Sequence, residues 1–125
     1  MSRVHKLMPS LLALLSVSCQ GSKAERATHF VAGGDAQHGR SAAYDRGCGA
    51  CHTIPGVRGA YGTVAQSLAG FSQRTFIAGE LPNTPDNLER WIMDPPSIQP
   101  KTAMPNLGVG AAEARDIAAF LYSVD

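Results

Sequence analysis

The chain has 125 residues, 11 Lys and Arg against 10 Asp and Glu, and a formal net charge of +1. That length holds one small domain plus a leader, and the near-balanced charge points neither to a nucleic-acid partner nor to a one-signed field that steers partners. Aromatic residues make up only 6%, so the apolar core is thin for a domain that stands alone unless a buried apolar group adds to it.

The chain opens Met1-Ser2-Arg3-Val4-His5-Lys6 and continues with an apolar run from Leu7 to Val17. A basic start followed by a run too short to span a bilayer is the pattern of an export signal, here residues 1–18. The run ends Leu15-Ser16-Val17-Ser18-Cys19. Small residues before a cysteine point to a lipoprotein site with a lipid anchor at Cys19, although Ser16 stands where such sites favour leucine. Ordinary signal cleavage nearby is the alternative. Of the 11 basic residues, Arg3 and Lys6 lie in the leader, so the remainder carries 9 against 10 acidic ones. Residues 19–34 are rich in Gly, Ser, Lys and Ala without apolar periodicity and read as a flexible tether. Residues 35–125 read as the folded domain.

Asp35 is a candidate N-cap for a first helix, on which Tyr44 and Cys48 share a face. That helix runs into Cys48-Gly49-Ala50-Cys51-His52. Cys-x-x-Cys-His is the pattern of covalent c-type haem attachment. Two thiols three positions apart can each add across a vinyl group along one porphyrin edge, and the adjoining imidazole can ligate the iron. A thioredoxin-like dithiol needs a βαβ pattern around it, and a structural zinc needs four ligands. The flanking sequence offers neither strand alternation nor a second Cys or His pair.

Residues 54–70 are glycine-rich and read as loop, and Thr75 to Ala78 as a short helical turn. Thr84-Pro85 predicts a helix start, with a capping hydroxyl followed by proline at the first helical position. The helix carries Leu88, Trp91 and Ile92 and stops at Asp94 before Pro95 and Pro96. Pro95 to Pro105 is expected to be extended. A last helix from about Ala111 places Ala114, Ile117, Ala118 and Leu121 on one apolar face, with Phe120 beside it. The fold class is all-α.

A six-coordinate haem needs a second axial donor. Met93, Met104, His38 and His29 are the candidates. Met93 falls inside a helix beside Trp91. Met104 lies in a proline-bounded loop, Pro100-Lys101-Thr102-Ala103-Met104-Pro105, which can hold a thioether against iron with little entropy loss.

These motifs, taken in order, resemble the class I cytochromes c. The matching segments are the pentad, Trp91-Ile92 with Asp94-Pro95, Thr102-Ala103-Met104-Pro105-Asn106-Leu107-Gly108, and Asp116-Ile117-Ala118-Ala119-Phe120-Leu121. Leu81-Pro82-Asn83-Thr84-Pro85-Asp86-Asn87-Leu88 is similar to the cytochrome c domains of subunit II of bacterial haem–copper oxidases and to related free-standing monohaem cytochromes. The resemblance implies one covalent haem c ligated by His52 and Met104, and N- and C-terminal helices crossing near Gly39, Tyr44 and Phe120. It also implies an aromatic at Trp91 near the methionine side and a hydroxyl at Thr102 near a propionate. Arg58 and Arg74 are either propionate partners or solvated surface charges. The family's usual Gly-Pro on the proximal side is replaced by Ala65-Gln66, so a backbone carbonyl at Gln66 remains for His52 on a less constrained, softer segment.

The implied function is single-electron transfer in a bacterial respiratory chain, with redox proteins as partners: a donor complex on one side, a terminal oxidase or other reductase on the other. The expected location is the periplasmic side of the membrane. The chain reads as a carrier rather than an enzyme. An integral redox subunit of an oxidase or dehydrogenase, and a haem-based sensor of small ligands, are the alternatives.

Overall fold

The computed structural model describes residues 30–124. Among these residues four helices follow in chain order: α1 (Ala36–Asp45), α2 (Pro85–Met93), α3 (Pro95–Ile98) and α4 (Ala111–Leu121). Two-residue strands β1 (Phe76–Ile77) and β2 (Leu81–Pro82) pair antiparallel between α1 and α2. Single 3-10 turns sit at Cys48–Ala50 and Phe71–Gln73. The reading as all-α holds apart from this small hairpin. The export signal, Cys19 and most of the tether lie outside the described residues.

The helix starts follow from local chemistry. The Asp35 carboxylate accepts the backbone N–H groups of Gln37 (2.8 Å) and His38 (3.0 Å), two of the donors that a helix start leaves unpaired. Thr84 caps α2 in the same way, its hydroxyl accepting from Asn87 N–H at 3.3 Å, with Pro85 at the first helical position. Asp35 N–H also donates to the Asp116 carboxylate at 2.8 Å, tying the start of α1 to α4.

The terminal helices α1 and α4 cross at Gly39 and Asp116. A Cβ built on Gly39 would fall 1.9 Å from the Asp116 carbonyl oxygen, so only glycine lets the two backbones approach this closely. The buried face of α4 is Ala114, Ile117, Ala118, Ala119, Phe120 and Leu121, and α2 lays Leu88, Trp91 and Ile92 into the same core. Three alanines on α4 keep that crossing narrow. Fully burying a side chain such as Leu88 contributes roughly 1.5–3 kcal/mol. Tyr44 does not enter the crossing: it is half exposed and meets Arg58 instead.

Three segments differ from expectation. Thr75 to Ala78 is not a helical turn but leads into the hairpin, where Ala78 and Gly79 take positive φ (50° and 73°) and Glu80 N–H bonds to Ile77 C=O at 2.9 Å. The residues after Asp94 are not wholly extended: Pro95–Ile98 forms one helical turn. A proline is tolerated at a helix start because its missing N–H would have had no partner there, and Gln99 N–H closes the turn on Pro95 C=O at 3.0 Å. Residues 31–34, within the segment read as tether, pack on the domain: Val31 is buried in the core and Gly34 lies against Ala119 and Arg115 of α4.

Candidate haem site

Immediately after α1 the chain makes the 3-10 turn that carries Cys48, and His52 N–H donates to Cys48 C=O at 3.0 Å. Both thiols are free, Cys48 half-buried and Cys51 exposed. Burial pushes the Cys48 thiol above its ordinary pKa. The following loop folds back onto the pentad through three backbone bonds: Gly62 N–H to Gly49 C=O (3.1 Å), Ala65 N–H to Cys51 C=O (2.9 Å) and Leu68 N–H to Thr53 C=O (2.8 Å). The Thr53 hydroxyl adds a bond to Gly62 C=O at 3.0 Å. The approach needs a glycine at 62, where a Cβ would stand 2.5 Å from the Cys51 carbonyl carbon.

These straps set the Gln66 carbonyl oxygen 2.7 Å from His52 Nδ1. A carbonyl only accepts, so Nδ1 carries the proton and Nε2 keeps its lone pair for a metal. The half-buried imidazole is thereby oriented and its tautomer chosen by one bond.

Met104 is half-buried and packs against the core. Its loop is braced at several points. Met104 N–H donates to the Thr102 hydroxyl at 3.2 Å, and Thr102 N–H donates to Gln99 C=O at 2.9 Å. Asn106 spans from Asp94 at the end of α2 (3.2 Å) to Gly108 N–H (2.8 Å). Arg46, just past α1, grips both Glu113 carboxylate oxygens (3.0 and 2.6 Å) and the Leu107 carbonyl (3.1 Å). That carboxylate raises the Arg46 pKa further, and the fork geometry joins α1, the methionine loop and α4.

Trp91 is buried at 8% exposure on α2. Thr102, expected near a propionate, uses its oxygen to accept the Met104 N–H. His38 is exposed at the start of α1 beside Asp35, and Met93 is half-buried at the end of α2. His29 lies outside the described residues. Arg58 meets the Tyr44 hydroxyl at 3.3 Å, and Arg74 donates to the Gln66 side chain at 3.3 Å and to the Ser67 carbonyl. Sequence reasoning missed Arg46, Asp94 and Asn106. Arg46 and Glu113 are 67 positions apart, and nothing in one sequence pairs them.

The competing dithiol and zinc readings lose their ground. Among the described residues the sole sheet is the two-stranded hairpin, so no βαβ unit surrounds the thiols. No group of three or more His, Cys, Asp or Glu among those residues is placed to hold a metal ion. The donor set that is present fits haem: two free thiols three positions apart and an adjoining imidazole with Nε2 left for iron.

A helical domain whose terminal helices cross, with Cys-x-x-Cys-His at the end of the first, defines a haem-attachment domain. Residues 36–125 match the Cytochrome c family, and the chain belongs to that family, whose domain binds covalently attached haem c. The chain is 37% identical over 70 residues to cytochrome c oxidase subunit 2 of Alkalihalophilus pseudofirmus, covering 56% of this chain and 20% of the relative. It is 35% identical over 65 residues to cytochrome c oxidase subunit 2 of a Bacillus species (strain PS3), covering 50% and 18%. The matched segment thus spans about a fifth of these relatives. No solved structure matches the chain significantly. Among the described residues no helix is long and apolar enough to cross a membrane.

Proposed function

We propose that this chain is a monohaem c-type cytochrome that carries single electrons in a bacterial respiratory chain, with His52 and Met104 as axial ligands. The observation that carries the reading is the bond of His52 Nδ1 to the Gln66 carbonyl at 2.7 Å, which leaves Nε2 for iron. When bound, the haem supplies a one-electron iron couple. Cys48 and Cys51 hold it covalently. Met104, on a loop braced from α1, α2 and α4, offers a soft neutral thioether that favours the ferrous state. Such bracing limits rearrangement between redox states, which is what a carrier requires.

The partners on this reading are a respiratory donor and a terminal oxidase or other reductase. Export to the periplasmic side and a lipid anchor at Cys19 belong to the same proposal. Intact mass of the exported protein tests both attachments, with one haem and a diacylglyceryl group at Cys19 expected.

The ferric absorption spectrum tests the ligand set. The deep-red charge-transfer band of methionine-ligated haem is expected in the wild type and in Met93→Ala, and is expected to vanish in Met104→Ala. A wild type lacking the band, or binding carbon monoxide readily when reduced, would instead favour a sensor. The similarity to oxidase subunits 2 supports a second reading, a redox subunit held stably in an oxidase complex. Co-purification with a membrane oxidase at high salt decides for it, and recovery as a separate protein decides for the carrier.

A further inference from the structure

We propose that Arg74 is a positioning residue for the axial imidazole, holding the Gln66 carbonyl on His52 Nδ1 in the place of a proline ring. The proposal rests on the reading of His52 as an iron ligand. The orientation of the Gln66 carbonyl is the orientation of the Gln66–Ser67 peptide plane, and Arg74 grips both flanks of that plane. Its Nη1 lies 3.3 Å from Gln66 Oε1 and its Nη2 donates to the Ser67 carbonyl. A planar guanidinium presents two donors in a fixed fork that suits both acceptors, where a lysine offers a single flexible ammonium.

Arg74 is itself anchored. Its guanidinium carbon lies 5.3 Å from the ring centroid of the buried Phe71. Asn83 Nδ2 donates to the carbonyls of Arg74 (2.9 Å) and Phe71 (3.1 Å), and the Tyr122 hydroxyl donates to Asn83 Oδ1 at 2.8 Å. A continuous set of bonds therefore runs from the end of α4 through Asn83 and Arg74 to Gln66 and His52. Where the family's usual Gly-Pro would stiffen this segment covalently, side chains stiffen it here.

The test compares Arg74→Gln in the wild type and in Gln66→Pro, using the haem-loaded protein in its ferrous state. Gln66 N–H donates to no backbone acceptor among the described residues, so proline removes no such bond there. The readout is hydrogen exchange of the His52 Nδ1 proton by NMR. Arg74→Gln is expected to speed exchange about tenfold, the worth of one charge-assisted hydrogen bond, and less than about threefold in Gln66→Pro. Arg74→Lys, which keeps the charge but not the fork, is expected to show the same background dependence at smaller size and serves if Arg74→Gln does not fold. Unchanged exchange, or an equal rise in both backgrounds, overturns the proposal. The upfield ring-current shift of the His52 ring protons separates the two readings. If it is missing in the wild type, the ligand assignment fails; if it is present with exchange insensitive to Arg74, only the clamp fails.

Discussion

His52 Nδ1 and the Gln66 carbonyl oxygen stand 2.7 Å apart although the residues are 14 positions apart in sequence. The bond is made by a loop returning to the pentad it left, and it decides which imidazole nitrogen keeps its lone pair. The Met104 loop is held by Asp94, just past α2, through Asn106, and by Arg46, just past α1, whose guanidinium also pairs with Glu113 of α4.

Thr102 tests the methionine side. Its hydroxyl accepts the Met104 N–H at 3.2 Å. Replacing it with valine removes that acceptor at nearly constant shape, a loss of about 1 kcal/mol. If Met104 ligates iron, Thr102→Val is expected to let external cyanide displace the thioether roughly fivefold more readily, measured by ferric cyanide titration.

Gly39 tests the helix crossing. Because a Cβ there would meet the Asp116 carbonyl oxygen at 1.9 Å, Gly39→Ala must push α1 off α4. The expected cost is about 3 kcal/mol or more in chemical denaturation of the haem-loaded protein. Gly110→Ala, where nothing lies within 4 Å and φ is −78°, is expected to cost under about 1 kcal/mol.

Asp35 gives the acid limb of stability. The N–H of His38, then that of Gln37, hold its carboxyl below the model-compound value of 3.8 despite an opposing desolvation effect. A depressed folded pKa contributes stability that is present above the unfolded value and lost as pH falls through the folded one. Stability should therefore decline as pH drops below about 4, and Asp35→Asn, which keeps the capping oxygen, should lack that part of the decline in pH-dependent denaturation.

Tyr122 gives the alkaline limb. Burial raises its phenol from 10.0 to about 12. A raised folded pKa stabilises the fold fully below the unfolded value and ceases to do so as pH passes the folded one. Stability should fall between pH 10 and about 12, and ultraviolet difference titration should show Tyr122 ionising near 12. Tyr122→Phe removes the step and costs about 1 kcal/mol at neutral pH, the bond to Asn83.

Much of the helical framework was readable from short-range chemistry. Asp35 and Thr84 cap helices because their oxygens reach N–H groups two or three residues on, and the face of α4 follows from the helical period. Where the reading failed, two local preferences competed. Pro95 ends one helix and can also begin the next, and the turn at Ala78 depends on a positive φ that alanine seldom adopts.

The sequence by itself determined the attachment pentad, the starts of α1 and α2, the apolar face of α4 and the candidate ligands, because each is encoded by residue type at fixed short spacing. Only the tertiary structure decided which groups hold those ligands. The Gln66 carbonyl is a backbone atom that any residue would supply, so even where family resemblance pointed to it, only the returning loop placed it on His52. Arg46 with Glu113 and Leu107 joins segments 67 and 61 positions apart, and Asn106 with Asp94 closes a loop of 12. The helix crossing likewise turns on a missing Cβ, that of Gly39 against the Asp116 carbonyl.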